Sequence, residues 1–152
     1  MNAGDLAFFD SPGAISRAIR IAEWFRWRKG DHWNHVAILD EDSDGWTIIE
    51  AEGRGVTRGN KLAGNYEIVP LPEGVDPQKV LEFARAQVGR QYGFLTIASI
   101  VLTIISPKFI NVMLPDTWIC SALAAESLRC GGWIHNFGDI YQVSPAELWD
   151  AL

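Results

Sequence analysis

Cysteine, histidine and a carboxylate can together break an acyl bond: a thiolate attacks, an imidazole holds and returns the proton, and a third polar group fixes the imidazole's tautomer and orientation. The chain has two cysteines and three histidines. Both cysteines fall in "DTWICSALAAESLRCGG", where Asp116 or Thr117 can cap a helix that Gly131 and Gly132 end. On such a helix the two sulfurs lie ~15 Å apart along the axis, out of disulfide reach, so each is a free thiol. Cys120 falls in the first turn, where unpaired N–H groups and the helix dipole favour a thiolate. Cys130 sits at the other end, where the dipole disfavours one, and reads as a small buried hydrophobe.

The histidine that such a thiolate needs is sought in "DHWNHVAILDEDSDGWTIIEAE". Two β-branched, apolar runs flank the turn formers of "EDSDG", which predicts a hairpin. With residues 41–44 as the loop, Asp40 faces Gly45, Ile38 faces Thr47, and His35 faces Glu50. Directly opposed residues on one sheet face have Cβ atoms ~5 Å apart, close enough for a carboxylate to accept from an imidazole. A slip of one residue would put the two on opposite faces. His32, before the strand, and His135, in "WIHNFGD", read as surface or hydrogen-bonded structural residues. A metal site from His32 and His35 with Asp31 or Cys120 matches no familiar zinc spacing, and no metal or cofactor is expected.

The elements around these residues are short. Residues 4–10, "GDLAFFD", read as a strand, and "SPGAISRAIRIAEWFRW" as a helix opened by Ser11 and Pro12. "GVTRGN" and "YEIVPLP" look like strands. "DPQKVLEFARAQVG" reads as a helix with Asp76 at the cap, Pro77 at its first position and Gly89 past its end. "VSPAELWDAL" has a similar opening for a final helical turn or two. The order predicts one α+β domain over residues 1–152, a small antiparallel sheet packed against helices.

Composition narrows the function classes. Of 152 residues 48% are hydrophobic, which argues for a packed core and against disorder. A net charge of -6 gives no global reason to bind nucleic acid. The one basic cluster, Arg17, Arg20, Arg26, Arg28 and Lys29, is local and interleaved with aromatics. The apolar run at 94–105, "FLTIASIVLTII", has twelve residues where ~20 are needed to cross a bilayer, and reads as a buried or interfacial helix. The start "MNAGDLAFFD" has no basic, apolar leader, so the expectation is a protein made in the cytosol.

"GDLAFF", "NHVAIL", "IIEAEGRGV", "VGRQYGF" and "WICSALAAESLRCGG", in this order, resemble the circularly permuted NlpC/P60 proteins, papain-like cysteine hydrolases whose histidine precedes the cysteine, and within them the YiiX/YaeF-like branch. The resemblance implies a permuted papain-like fold with the nucleophile at a helix N-terminus. It implies Cys120 as nucleophile, His35 as general base and Glu50 as the group orienting the imidazole. It also implies Tyr92 as a site-lining residue that helps bind the oxyanion, although Gly93 stands where the family often has an acid. The substrate implied is an amide, often in the stem peptides of peptidoglycan. With no leader or wall-binding module in the sequence, the expected setting for such an enzyme is a phage particle or release on lysis. Permuted relatives of the lecithin:retinol acyltransferase type use the same chemistry on acyl chains, which makes lipid-directed hydrolysis or acyl transfer the alternative. Vesicle contact through "EWFRWRKGDHW" is not expected, because Trp-rich helices more often pack inward. A structural module of a phage particle without activity is the third reading.

Overall fold

A computed structural model describes residues 1–10, 33–93 and 117–152. Among them, five strands form one antiparallel sheet: β1 (Leu6–Phe9), β2 (His35–Asp42), β3 (Gly45–Glu52), β4 (Gly55–Asn60) and β5 (Tyr66–Val69). Their order across the sheet is β4-β3-β2-β1-β5. The two strands read from "GVTRGN" and "YEIVPLP" are thus on opposite edges, and β5 pairs with β1, Leu6 opposite Val69. A parallel pair of two residues each, β6 (Gln91–Tyr92) and β7 (Thr117–Trp118), stands apart from the sheet. The described helices are α1 (Pro77–Ala86), α2 (Cys120–Cys130) and α3 (Pro145–Ala151), with a 3-10 turn at Ile140–Gln142. The architecture is mixed α and β.

Both sheet faces are buried, which explains why β1 to β3 read as nearly continuous apolar runs rather than alternating ones. Leu6, Phe8, Val36, Ile38, Ile49, Ala51 and Val56 face a core shared with α1 and α2. Ala7, Phe9, Ala37, Leu39 and Ile48 form a second cluster on the other face. From α1, Val80, Leu81 and Ala84 enter the first core, and the Asp76 side chain caps the helix by accepting from the Gln78 N–H at 2.9 Å. Helix α2 is buried from Cys120 to Leu128, and its alanines at 122, 124 and 125 let the backbone approach the sheet closely. In α3, Ser144 and Glu147 form the reciprocal capping pair that "SPAE" announces.

Two expectations change. The β2–β3 turn is tighter than residues 41–44: Asp42 pairs with Gly45, and Ile38 with Ile49 rather than Thr47. The polar ends Glu41 and Asp42 stay in the strand. The Asp42 side chain accepts from the Asp44 N–H at 2.8 Å, and Gly45 takes the positive φ that closes so short a turn. Helix α2 is capped by neither Asp116 nor Thr117. Thr117 lies in β7, the cap residue is Ile119 with no side-chain cap bond, and Asp116 falls outside the described residues. Also outside them are the expected helix from Ser11, the basic aromatic cluster, His32 and the apolar run at 94–105.

Candidate active site

His35 is the first residue of β2, held by Phe9 across the β1 pairing and by the Asn34 N–H, which donates to the Phe9 carbonyl at 3.1 Å. Glu50 lies on the neighbouring strand, displaced by two residues from the register first expected. A two-residue displacement keeps a side chain on its face, because side chains alternate with period two. The His35 Nε2–H donates to Glu50 Oε2 at 2.6 Å, so the pair meets diagonally instead of head-on. Glu50 Oε1 accepts from Asn60 Nδ2 at 2.7 Å. Burial raises the Glu50 carboxyl's affinity for a proton, but the bonds from His35 and Asn60 and the charges of His35 and Arg54 outweigh it, so the group is more acidic than usual.

The imidazole's other partner is Cys120, with Nε2 taken by Glu50 and Nδ1 left for the sulfur. Cys120 is the first residue of α2 and is 5% exposed. Burial works against its thiolate. The His35 charge and hydrogen bond, with backbone N–H bonds from Val36 and Ser121, overcome that penalty and hold the thiol below its ordinary range. The absence of a side-chain cap on α2 serves this, since it leaves first-turn N–H groups to face the sulfur. Burial likewise pulls the His35 pKa down, yet Cys120 and Glu50 together raise it from 6.5 to about 10. Each group thus favours the charged form of the other, a thiolate beside an imidazolium. The Ser121 Oγ–H donates to the Val143 carbonyl at 2.5 Å and ties the helix start to the segment before α3.

Tyr92, in β6, pairs in parallel with Trp118, two residues before Cys120. Its position is set from β4. The Val56 N–H donates to the Arg90 carbonyl at 2.9 Å, an approach that Gly55 allows because a Cβ there would run into that same oxygen. Burial first, then the charges of Cys120 and Glu52, push the phenol's pKa up. It stays a neutral O–H donor near the sulfur.

The fold is one already seen in a solved structure. The crystal structure of the metalloprotein YiiX from Escherichia coli O157:H7 superposes on 86% of this chain with a TM-score of 0.61 at 18% identity. This chain spans 66% of that protein's length. No family model matches the sequence, and no curated protein does. Among the described residues no group of three or more His, Cys, Asp or Glu side chains is placed to hold a metal ion.

The other candidates lie elsewhere. Cys130 ends α2, half-buried, where burial and then the Glu126 charge push its thiol up. His135 is exposed and packs between Trp133 and Phe137, with ring centroids 5.2 and 4.2 Å away. Sequence reasoning missed Asn60, which has no signature beyond ending a short strand. It also missed Asp40, fully buried on the hairpin and bound by Arg58 Nε at 2.6 Å and Arg85 Nη2 at 2.6 Å.

Proposed function

We propose that this protein is a cysteine hydrolase of the permuted papain-like type, acting on an amide bond. The observation that carries the proposal is the His35 imidazole, shared between the Glu50 carboxylate at 2.6 Å and a cysteine at the uncapped head of a buried helix. The Cys120 thiolate attacks the carbonyl carbon, and the oxyanion is met by the Cys120 N–H and the Tyr92 O–H. As the tetrahedral species collapses, the C–N bond breaks and the imidazolium gives its proton to the leaving nitrogen, leaving a thioester on Cys120. Neutral His35 then takes a proton from water, whose oxygen attacks the thioester carbon. The C–S bond breaks, the acid leaves, and the thiolate–imidazolium pair is restored. Glu50 keeps the ring in register for both proton transfers.

Within amides, the family resemblance stated above implies the stem peptides of peptidoglycan as the substrate to test first. Incubating the protein with muropeptides, and reading released amino groups together with the mass of Cys120-containing peptides after acid quench, tests this. New amines and an acyl adduct on Cys120, both lost in Cys120→Ala, are the expected result. Intact muropeptides alongside cleaved acyl chains in phospholipid vesicles would move the substrate to lipids, and inertness toward both would leave the structural-module reading.

A further inference from the structure

The carboxylate of Glu50 has two sides, and only one faces His35. On the other, β4 departs from regular pairing. Ile49 lies opposite Arg58, but Ile48 lies opposite Asn60, so Gly59 is an extra residue in the ladder. Gly59 has a φ of +114°, a conformation an L side chain rarely adopts, with open space where a Cβ would stand. The consequence follows from the period of a strand. Thr57 is the direct partner of Glu50 and shares its face, so in a regular strand Asn60, three residues on, would point to the other face with Val56. The extra residue reverses that, and Asn60 arrives on the Glu50 face as the partner of Ile48.

Once there, its Nδ2 donates to Glu50 Oε1 at 2.7 Å. The backbone carbonyl of Asn60 accepts from Thr47 Oγ1 at 3.0 Å, which pins the far end of the bulge to β3. Thr57, despite facing Glu50 directly, has a buried hydroxyl with no hydrogen-bond partner. The carboxylate is thus oriented by the bulged residue and not by its direct neighbour.

We infer that Asn60 is a positioning residue for the hydrolase, delivered to Glu50 by the Gly59 bulge and acting through Glu50 on the tilt of the His35 ring. This rests on the function proposed above. An amide suits the role because it donates at every pH and cannot compete with Glu50 for a proton. A carboxyl at 60 would donate only while protonated.

The test is the pH profile of Cys120 alkylation by iodoacetamide, read by mass spectrometry on the wild type, Asn60→Ala, Asn60→Asp, Thr57→Val and His35→Ala. Asn60→Ala should slow alkylation at neutral pH roughly tenfold through loss of one charge-assisted bond, while Thr57→Val follows the wild type. Asn60→Asp should approach the wild-type rate at acid pH and fall away as its own carboxyl ionises against Glu50, a dependence that a merely structural role would not produce. If Cys120 depends on His35 but Asn60→Ala and Asn60→Asp both track the wild type, the positioning role is overturned and the hydrolase remains. If wild-type Cys120 titrates as an ordinary thiol and His35→Ala changes nothing, both are overturned.

Discussion

The hairpin of β2 and β3 carries two buried carboxylates of opposite character. Asp40 and Glu50 belong to adjacent strands, project from opposite faces of one sheet, and each is held by two side chains. The partners of Asp40 are two arginines, one from β4 and one from α1, whose charge cannot be given up in the accessible pH range. The partners of Glu50 are an amide and an imidazole, and the imidazole can exchange its proton. The same residue chemistry thus makes a fixed clamp between sheet and helix in one place and, in the proposed hydrolase, a proton-handling relay in the other. What decides is whether the cation it holds can become neutral.

The largest effect that separates the two regions is on turnover. Cys120→Ala should remove hydrolysis, a loss on the order of 10⁴-fold or more, with the circular dichroism spectrum unchanged. Cys130→Ala should stay close to wild type in the same assay. Equal losses would break the distinction between the two ends of α2.

Next come the carboxylates themselves. Glu50→Gln should lower kcat on the order of 10²-fold with little change in the urea midpoint, because the imidazole loses its acceptor charge but not its packing. Asp40→Asn should do the reverse. It strands two guanidinium groups, and since both arginines are partly exposed and can turn toward water, the cost is about 1–3 kcal/mol of stability with turnover nearly kept. A catalytic loss in Asp40→Asn equal to that in Glu50→Gln would show that the sheet faces are not functionally separate.

Titration sharpens the contrast with a smaller effect. Burial pushes the Asp40 carboxyl up, but the two arginines outweigh it and hold it at about 2 against its ordinary 3.8, so its contribution is full above 3.8 and is lost as pH falls toward 2. His35 has the opposite sign. Raised from 6.5 to about 10, its contribution is full below 6.5 and is lost as pH rises through about 10. Melting curves of the wild type and His35→Ala should therefore converge at alkaline pH, while those of the wild type and Asp40→Asn stay apart there and converge in acid. The smallest change is that of Thr57→Val, which removes a buried hydroxyl without a partner and should leave the unfolding free energy within about 0.5 kcal/mol or slightly higher.

Much of the local structure was legible because its causes are local. Asp76 before Pro77, Ser144 three residues before Glu147, and the β-branched runs around "EDSDG" each state their own element. The length of the turn was not legible, since Glu41 and Asp42 look like loop residues and only the paired strand shows that they continue the ladder. The pairing of His35 with Glu50 survived that error for a physical reason: a displacement by two preserves the face. The start of α2 differs from what its sequence suggests because Thr117 has the chemistry of a cap, whereas β6 draws it into a strand. Asn60 was invisible, because a bulge is a relation between two strands and leaves only a glycine in one of them.

The sequence by itself therefore determined which groups could do chemistry and on which side of a strand they stand, since residue type and a period of two are properties of the chain alone. Only the tertiary structure decided that a helix start would come to rest against the first residue of β2, and that one added residue in β4 would carry an amide to the far side of Glu50. Those contacts join positions 10 to 85 residues apart, and nothing in the pattern of either partner encodes the distance between them.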